Sequence, residues 1–288
     1  MSLFKRQTSG SVVCTSCGSL VGVRDEQCLN CGRRNPGLWG FAPVLRSLGN
    51  DLGFVQLVMW GCGALYIGSL LLSGNSIGFS GGVFGILAPS GPSMFVFGAS
   101  GSLPVFVYHR WWTVLSAGWL HGSLLHIVFN MMWVRDLGPA VADVFGAGRM
   151  VIVYTVAGVC GFALSSIAGA YIPPIPLLRG AQFTLGASAS IFGLLGALVH
   201  YGRRTGSHLV RSTALRYAFF MGVFGLIMPG IDNFAHAGGF AGGYLAALAL
   251  DPLKPERIDH IVMALVCLAA TAVAIAASVW TGTSLFLR

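Results

Sequence analysis

The hydrophobic positions of this chain fall into long blocks separated by short polar loops, unlike the mixed faces of a soluble domain. A helix needs about 20 apolar residues to cross a bilayer. Windows of that kind occur near 52–72, 115–134, 150–171, 183–201, 213–230, 234–250 and 261–285. Seven transmembrane helices are therefore predicted. The pattern divides the chain into a cysteine-rich head at 1–35, a linker at 36–51, a six-helix membrane unit at 52–250, and a linker with a seventh helix at 251–288. The Gly/Ser-rich stretch 73–110 opens no long apolar helix and reads as a loop.

Composition agrees with this division. Hydrophobic residues make up 55% of the 288 positions and charged residues only 9%, against about 25% charged in soluble domains. Residues 1–50 hold charges and four cysteines but no long apolar run, so no cleaved signal peptide is expected and the first span is retained. The net charge of +8 is scattered through short loops and forms no single patch, which argues against a nucleic-acid partner. It is better read through the excess of Lys and Arg in cytosolic loops. With a cytosolic N-terminus, only Arg110, Arg179 and Arg288 fall on the far side, and the other 14 of the 17 Lys and Arg residues, Lys5 among them, fall on the near side. The expectation is a multi-pass protein of the cell membrane with its N-terminus inside and its C-terminus outside.

The head reads CTSCGSLVGVRDEQCLNC over 14–31. Its two Cys-x-x-Cys pairs, Cys14/Cys17 and Cys28/Cys31, can bind one tetrahedral Zn²⁺, and the glycine after each pair eases the turn around the metal. So short a segment has little apolar surface, so the metal would supply its folding energy. Disulfides are the alternative, disfavoured on a cytosolic side, and a redox role is a further one. On the cytosolic side the ribbon is expected to meet a cytosolic partner. Cys62, Cys160 and Cys267 stand singly in spans and read as packing residues.

Polar residues inside spans are costly and so mark candidate sites. The fourth span carries Gly186 and Ser188, the sixth His236 and Gly239, and the second His121, His126 and Asn130. In the predicted topology Ser188 and His236 both lie near the outer ends of their helices, at matching depth. The glycines of these two spans permit close helix approach, which would bring a serine hydroxyl to an imidazole, the minimum for an activated nucleophile. No carboxylate stands beside that imidazole, because Asp232 falls at the water boundary; a Ser–His dyad is expected. Free N–H groups at the start of the Ser188 helix, with His126 and Asn130 on one helical face, could stabilise an oxyanion. His121 falls off that face.

Taken together, His-x4-His-x3-Asn (His121, His126, Asn130), Gly-x-Ser (Gly186, Ser188) and His-x-x-Gly (His236, Gly239) resemble the rhomboid intramembrane serine proteases over about residues 95–250. The resemblance implies an all-α, six-helix fold with Ser188 as nucleophile, His236 as base, and His126 with Asn130 at the oxyanion. It implies that Gly186, Phe192 and Gly239 border the substrate. Phe192 stands one turn after Ser188 and is expected to pack on the His236 ring. The seventh span matches a six-plus-one variant, and 73–110 would hold short helices in the outer leaflet. Catalysis would need no cofactor, zinc being structural only, and the partners would be transmembrane protein substrates within the lipid bilayer, cut where their helices unwind near the outer surface.

The chain departs from the family pattern at Ala189, where Gly is usual, at Thr113, where a Trp-Arg pair would place Arg, and at Ala142, near which a Glu is common and Asp143 stands here. Gly98-Ala99-Ser100-Gly101 matches the nucleophile motif closely but opens no apolar helix, so Ser100 is set aside. Phe219, Phe220 and Phe224 in the fifth span read as lipid-facing, with a substrate gate between the second and fifth spans as the sharper reading. An inactive rhomboid-like scaffold that binds client helices is the alternative function; retention of Ser188 and His236 favours the protease. A transporter would instead place charged or broken helices at depth.

Overall fold

The computed structural model describes residues 6–79, 85–173, 179–228 and 230–286. Lys5 and Arg288, counted in the charge balance above, lie outside them. A two-stranded antiparallel hairpin, β1 (Ser11–Val13) and β2 (Leu20–Gly22), pairs Val12 with Val21. The short helix α1 (Ala42–Arg46) follows, with Ala42 packed on Val12, Val21 and Val23. The rest is helical: α2 (Phe54–Ser73), α3 (Gly91–Phe97), α4 (Thr113–Ser116), α5 (Leu124–Phe145), α6 (Ala147–Tyr171), α7 (Ser188–Thr205), α8 (His208–Ile227), α9 (Asn233–Ala249) and α10 (Ile258–Phe286). The protein is thus an all-α multi-pass membrane protein with a small β-containing head. Among the described residues, Phe54–Ser76, Ala147–Tyr171, His208–Ile227 and Ile258–Leu285 are long and apolar enough on their own to cross a membrane. The remaining three long helices, α5, α7 and α9, are the ones that carry the polar residues singled out above.

Six of the seven expected spans correspond to long helices with ends moved by a few residues. The second is corrected. Its helix runs over 124–145, not 115–134. The apolar run before it is broken into α4 and a 3-10 turn at Ala117–Trp119, and the long helix starts only where the Ser123 side chain caps it by accepting from the His126 N–H. At its far end the helix continues through Arg135, Asp136 and Pro139, whose charged side chains stay exposed.

Glycine sets the packing of α6, α7 and α9. On α9, Gly239 and Gly243 face α7: a methyl at either would strike backbone atoms, of Ala189 and Gly193 respectively. One position earlier in each pair, Gly238 and Gly242 face α6, where a methyl would lie 2.8 Å from Cys160 O or 2.6 Å from Cys160 Cβ. Gly161 of α6 meets Ala235 O in the same way at 2.5 Å. Where no hydrophobic effect draws helices together, such backbone-to-backbone contact supplies the van der Waals attraction. The consecutive glycine pairs let one helix meet two neighbours on adjoining faces.

Candidate functional site

The nucleophile candidate sits at a helix start built by a glycine. Gly186 has φ +123°, a conformation side chains resist, and a Cβ there would lie 2.7 Å from His126 Nε2. Its N–H donates to Ala117 O at 3.0 Å. The chain then enters α7 at Ser188, with Ala187 at the cap. The first intrahelical bond is made by Ile191 N–H to Ala187 O, so the N–H groups of Ser188, Ala189 and Ser190 precede it and point toward the start of the helix.

His236 arrives from α9, one turn after the cap residue Asp232. Its Nε2 is 2.9 Å from Ser188 Oγ. The imidazole is buried and stacks on Phe192, ring centroids 4.2 Å apart and planes at 18°. Phe192, one turn after Ser188, thereby fixes the ring plane. Nδ1 of His236 has no protein partner among the described residues. Asp232 is turned elsewhere: its carboxylate accepts from Ala235 N–H at 3.0 Å and from the Ser165 hydroxyl at 2.5 Å. The geometry is that of a pair without a third, orienting carboxylate.

Helix α5 supplies the other polar groups. Gly122 N–H donates to His126 Nδ1 at 3.2 Å, so in the neutral ring the proton sits on Nε2, the nitrogen that faces Gly186. Asn130 Nδ2 donates to His126 O at 2.8 Å, leaving its second N–H and the buried Oδ1, which has no partner among the described residues. His121 belongs to the loop before α5 and not to the helix, so counting helical faces misplaced it. It is buried with both ring nitrogens unpartnered among the described residues, and its ring meets His126 edge-on at 5.1 Å.

Gly239 lies inside the α7–α9 contact, against Ala189 O. Ala189 meets α9 through its backbone and turns its methyl toward α6, where a Cβ on Gly161 would lie 2.8 Å from it. Ser100 is fully buried and exchanges both backbone hydrogen bonds with Thr184 (2.9 and 2.8 Å). The rejected motif therefore clasps the loop that leads to Ser188. Asp143 accepts from Asn50 Nδ2 at 2.5 Å, tying α5 to the linker before α2. The residue that sequence reasoning passed over is Arg110, fully buried. A lone arginine beside two tryptophans was the available signal.

In the head, Cys14 Sγ lies 3.8 Å from Cys31 Sγ and Cys17 Sγ 3.6 Å from Cys28 Sγ, all four sulfurs within 4.8 Å of one another. A tetrahedral site with metal–sulfur bonds of about 2.3 Å has sulfur–sulfur edges of about 3.8 Å, so the donor set fits one zinc ion. Gly18 (φ +77°) and Gly32 (φ +72°) take the positive dihedrals of the two turns, donating to Cys14 O and Cys28 O. Burial raises the Cys14 thiol and pushes Cys31 up to about 12, whereas the Ser19 hydroxyl draws Cys17 down to about 5. Protons alone leave such a cluster only partly ionised; a divalent cation favours the thiolate at every position.

The Rhomboid domain family model matches residues 108–252, about half of the chain. The chain is 32% identical over 167 residues to Rhomboid protease GluP of Bacillus subtilis, covering 57% of this chain and 31% of that protein. It is 30% identical over 173 residues to RHOMBOID-like protein 4 of Arabidopsis thaliana, covering 57% and 40%. It is also 28% identical over 140 residues to Inactive RHOMBOID-like protein 8 of the same plant, covering 46% and 36%. The chain therefore spans less than half the length of these relatives. The matched segment contains α5 through α9 and with them Ser188, His236, His126 and Asn130, and the chain belongs to the rhomboid family.

Proposed function

We propose that the protein is an intramembrane serine endopeptidase that hydrolyses peptide bonds in or near transmembrane segments of membrane-protein substrates. The 2.9 Å contact between Ser188 Oγ and His236 Nε2 at the start of α7 carries this reading. His236 takes the Ser188 proton as Oγ attacks the scissile carbonyl, and returns it to the leaving amine. Water then attacks the acyl-enzyme with His236 again as base, releasing the acid and restoring Ser188. The oxyanion receives the free N–H groups at the start of α7 together with His126 Nε2–H and the second N–H of Asn130. Phe192 holds the imidazole in plane. Gly186 keeps the space beside His126 open.

Substrate helices must unwind to expose a peptide bond, since backbone polar groups cannot stay unpaired in hydrocarbon. Gly or Pro near the cut should then favour cleavage over a uniform Leu helix. We assign 1–35 to a zinc ribbon in the cytosol, 36–51 to a linker, 52–250 to the six-helix unit and 251–288 to a linker with the seventh helix, in the cell membrane with the C-terminus outside. The zinc is structural. The inactive-scaffold reading draws on the inactive relative; the retained Ser188 and His236 speak against it. The test is cleavage of a single-pass substrate by the purified full-length protein. Cleavage by the wild type, lost in both Ser188→Ala and His236→Ala while both remain folded, is expected. Binding of the substrate without cleavage by the wild type would favour the scaffold.

A further inference from the structure

The seventh helix is bound into the loops beside the site through one buried cation. Arg110 donates from Nε to Thr281 Oγ1 at 3.1 Å, from Nη1 to Phe95 O at 2.7 Å and from Nη2 to Ser278 O at 2.6 Å. Its guanidinium also lies 4.2 Å from the centroid of the Phe95 ring. Bonds from a charged donor are roughly twice as strong as neutral ones, and a buried charge that loses a partner is costly. Arg110 therefore fixes α10, which holds Ser278 and Thr281, against α3, which holds Phe95. The backbones meet closely as well: a methyl on Gly282 of α10 would lie 2.6 Å from Val96 Cα.

From this junction a short chain of contacts reaches Thr184, in the loop before Ser188. Ser278 Oγ accepts from Trp112 Nε1 at 3.2 Å and lies 3.4 Å from Ser116 Oγ, which donates to Gly98 O at 2.8 Å. Two residues on, Ser100 clasps Thr184 through both backbone bonds, and Thr113 Oγ1 lies 2.8 Å from Arg110 O and 3.3 Å from Ser100 Oγ. Thr184 precedes Ser188 by four residues. The guanidinium three residues before Thr113 is thus aimed at α10.

We propose that Arg110, with Ser278 and Thr281 of α10, is a positioning device for Ser188, and that the seventh helix is part of the catalytic scaffold. This rests on the reading of Ser188 as nucleophile. The experiment compares purified full-length wild type with Arg110→Gln, Arg110→Lys and Thr281→Val. It follows kcat and KM on a single-pass substrate, and hydrogen exchange of the segments around Ser100 and Thr184.

In Arg110→Gln, kcat should fall by about 10²-fold, the scale of a small misplacement of reacting groups, with KM within about twofold. Arg110→Lys should recover part of the loss, and Thr281→Val should lose about tenfold through one missing acceptor. Exchange should quicken at Ser100 and Thr184 but not in the middle of α7 or α9. Wild-type kcat and wild-type exchange at Thr184 in folded Arg110→Gln and Thr281→Val would overturn the proposal, as would exchange that rises uniformly along the chain. If Arg110→Gln does not fold, Thr281→Val decides. If the wild type itself is inactive, the protease reading fails on that result, while exchange at Thr184 still decides whether α10 holds the loop.

Discussion

Helices α8 and α9 both adjoin α7, but α8 meets it at backbone distance only near Gly202 and Arg211, whereas α9 does so along its length. α9 is set between α6 and α7, with Gly238, Gly239, Gly242 and Gly243 admitting neighbouring backbone on two faces. α8 buries only Ala214 and Gly225, and turns Phe219, Phe220 and Phe224 outward. Of the two glycines of α8, Gly225 packs against Asn233 at the start of α9, whereas a methyl on Gly222 would meet nothing within 4 Å. The contrast divides the labour. The helices that carry Ser188 and His236 are fixed to one another at backbone distance, which holds their 2.9 Å side-chain contact in place. The phenylalanines of α8 are exposed on its outer side.

The comparison breaks first at the dyad. Ser188→Ala and His236→Ala should each reduce cleavage to background while both proteins stay folded in detergent, the second with a lower melting temperature because its buried ring leaves Phe192. Next in size is Gly239→Ala. The added methyl meets Ala189 O, and the overpacking should cost about 1–3 kcal/mol and displace His236, which lies three residues earlier on the same face. Both the melting temperature and kcat should fall. On α8, Gly222→Ala enters open space and should leave kcat unchanged, with stability equal or higher by up to about 1 kcal/mol, the helix preference of Ala over Gly. Equal damage from the two glycine substitutions would remove the distinction between the helices.

Asn130→Ala and His126→Ala sharpen the chemistry of the fixed side. Each should lower kcat by roughly 10²-fold with a smaller change in KM, as the loss of one oxyanion donor does. The smallest effect on cleavage is expected from the head. Chelation should release about one zinc per chain and unfold residues 1–35, measured by metal analysis and local exchange, with cleavage of a detergent-solubilised substrate kept. Loss of cleavage on chelation in a variant lacking residues 1–40 would point to a metal in the membrane unit.

Much of this architecture was legible because its causes are local in sequence. The Cys-x-x-Cys pairs and their glycines prescribe the two turns of the head, and long apolar runs prescribe the spans. The joint pattern of Ser188, His236 and the glycines beside them pointed to two helices meeting closely. Three features were not legible, each for a physical reason. The start of α5 depends on the Ser123 cap, which overrules an apolar run beginning nine residues earlier. The position of His121 depends on that same boundary, since helical faces have meaning only inside the helix. Arg110 looked like a loop cation because its acceptors, Ser278 O and Thr281 Oγ1, lie about 170 residues away in the chain. Ser100 resembled a nucleophile in sequence, but burial and its exchange of backbone bonds with Thr184 give it a place in the loop's support.

The most direct test of the account is labelling of the purified full-length protein with a fluorophosphonate probe, with the modified residue located by peptide mass. The account predicts one adduct, on Ser188, absent in Ser188→Ala, strongly slowed in His236→Ala, and unchanged in rate in Gly222→Ala. An adduct on Ser100, or labelling of Ser188 that proceeds equally well without His236, would contradict it.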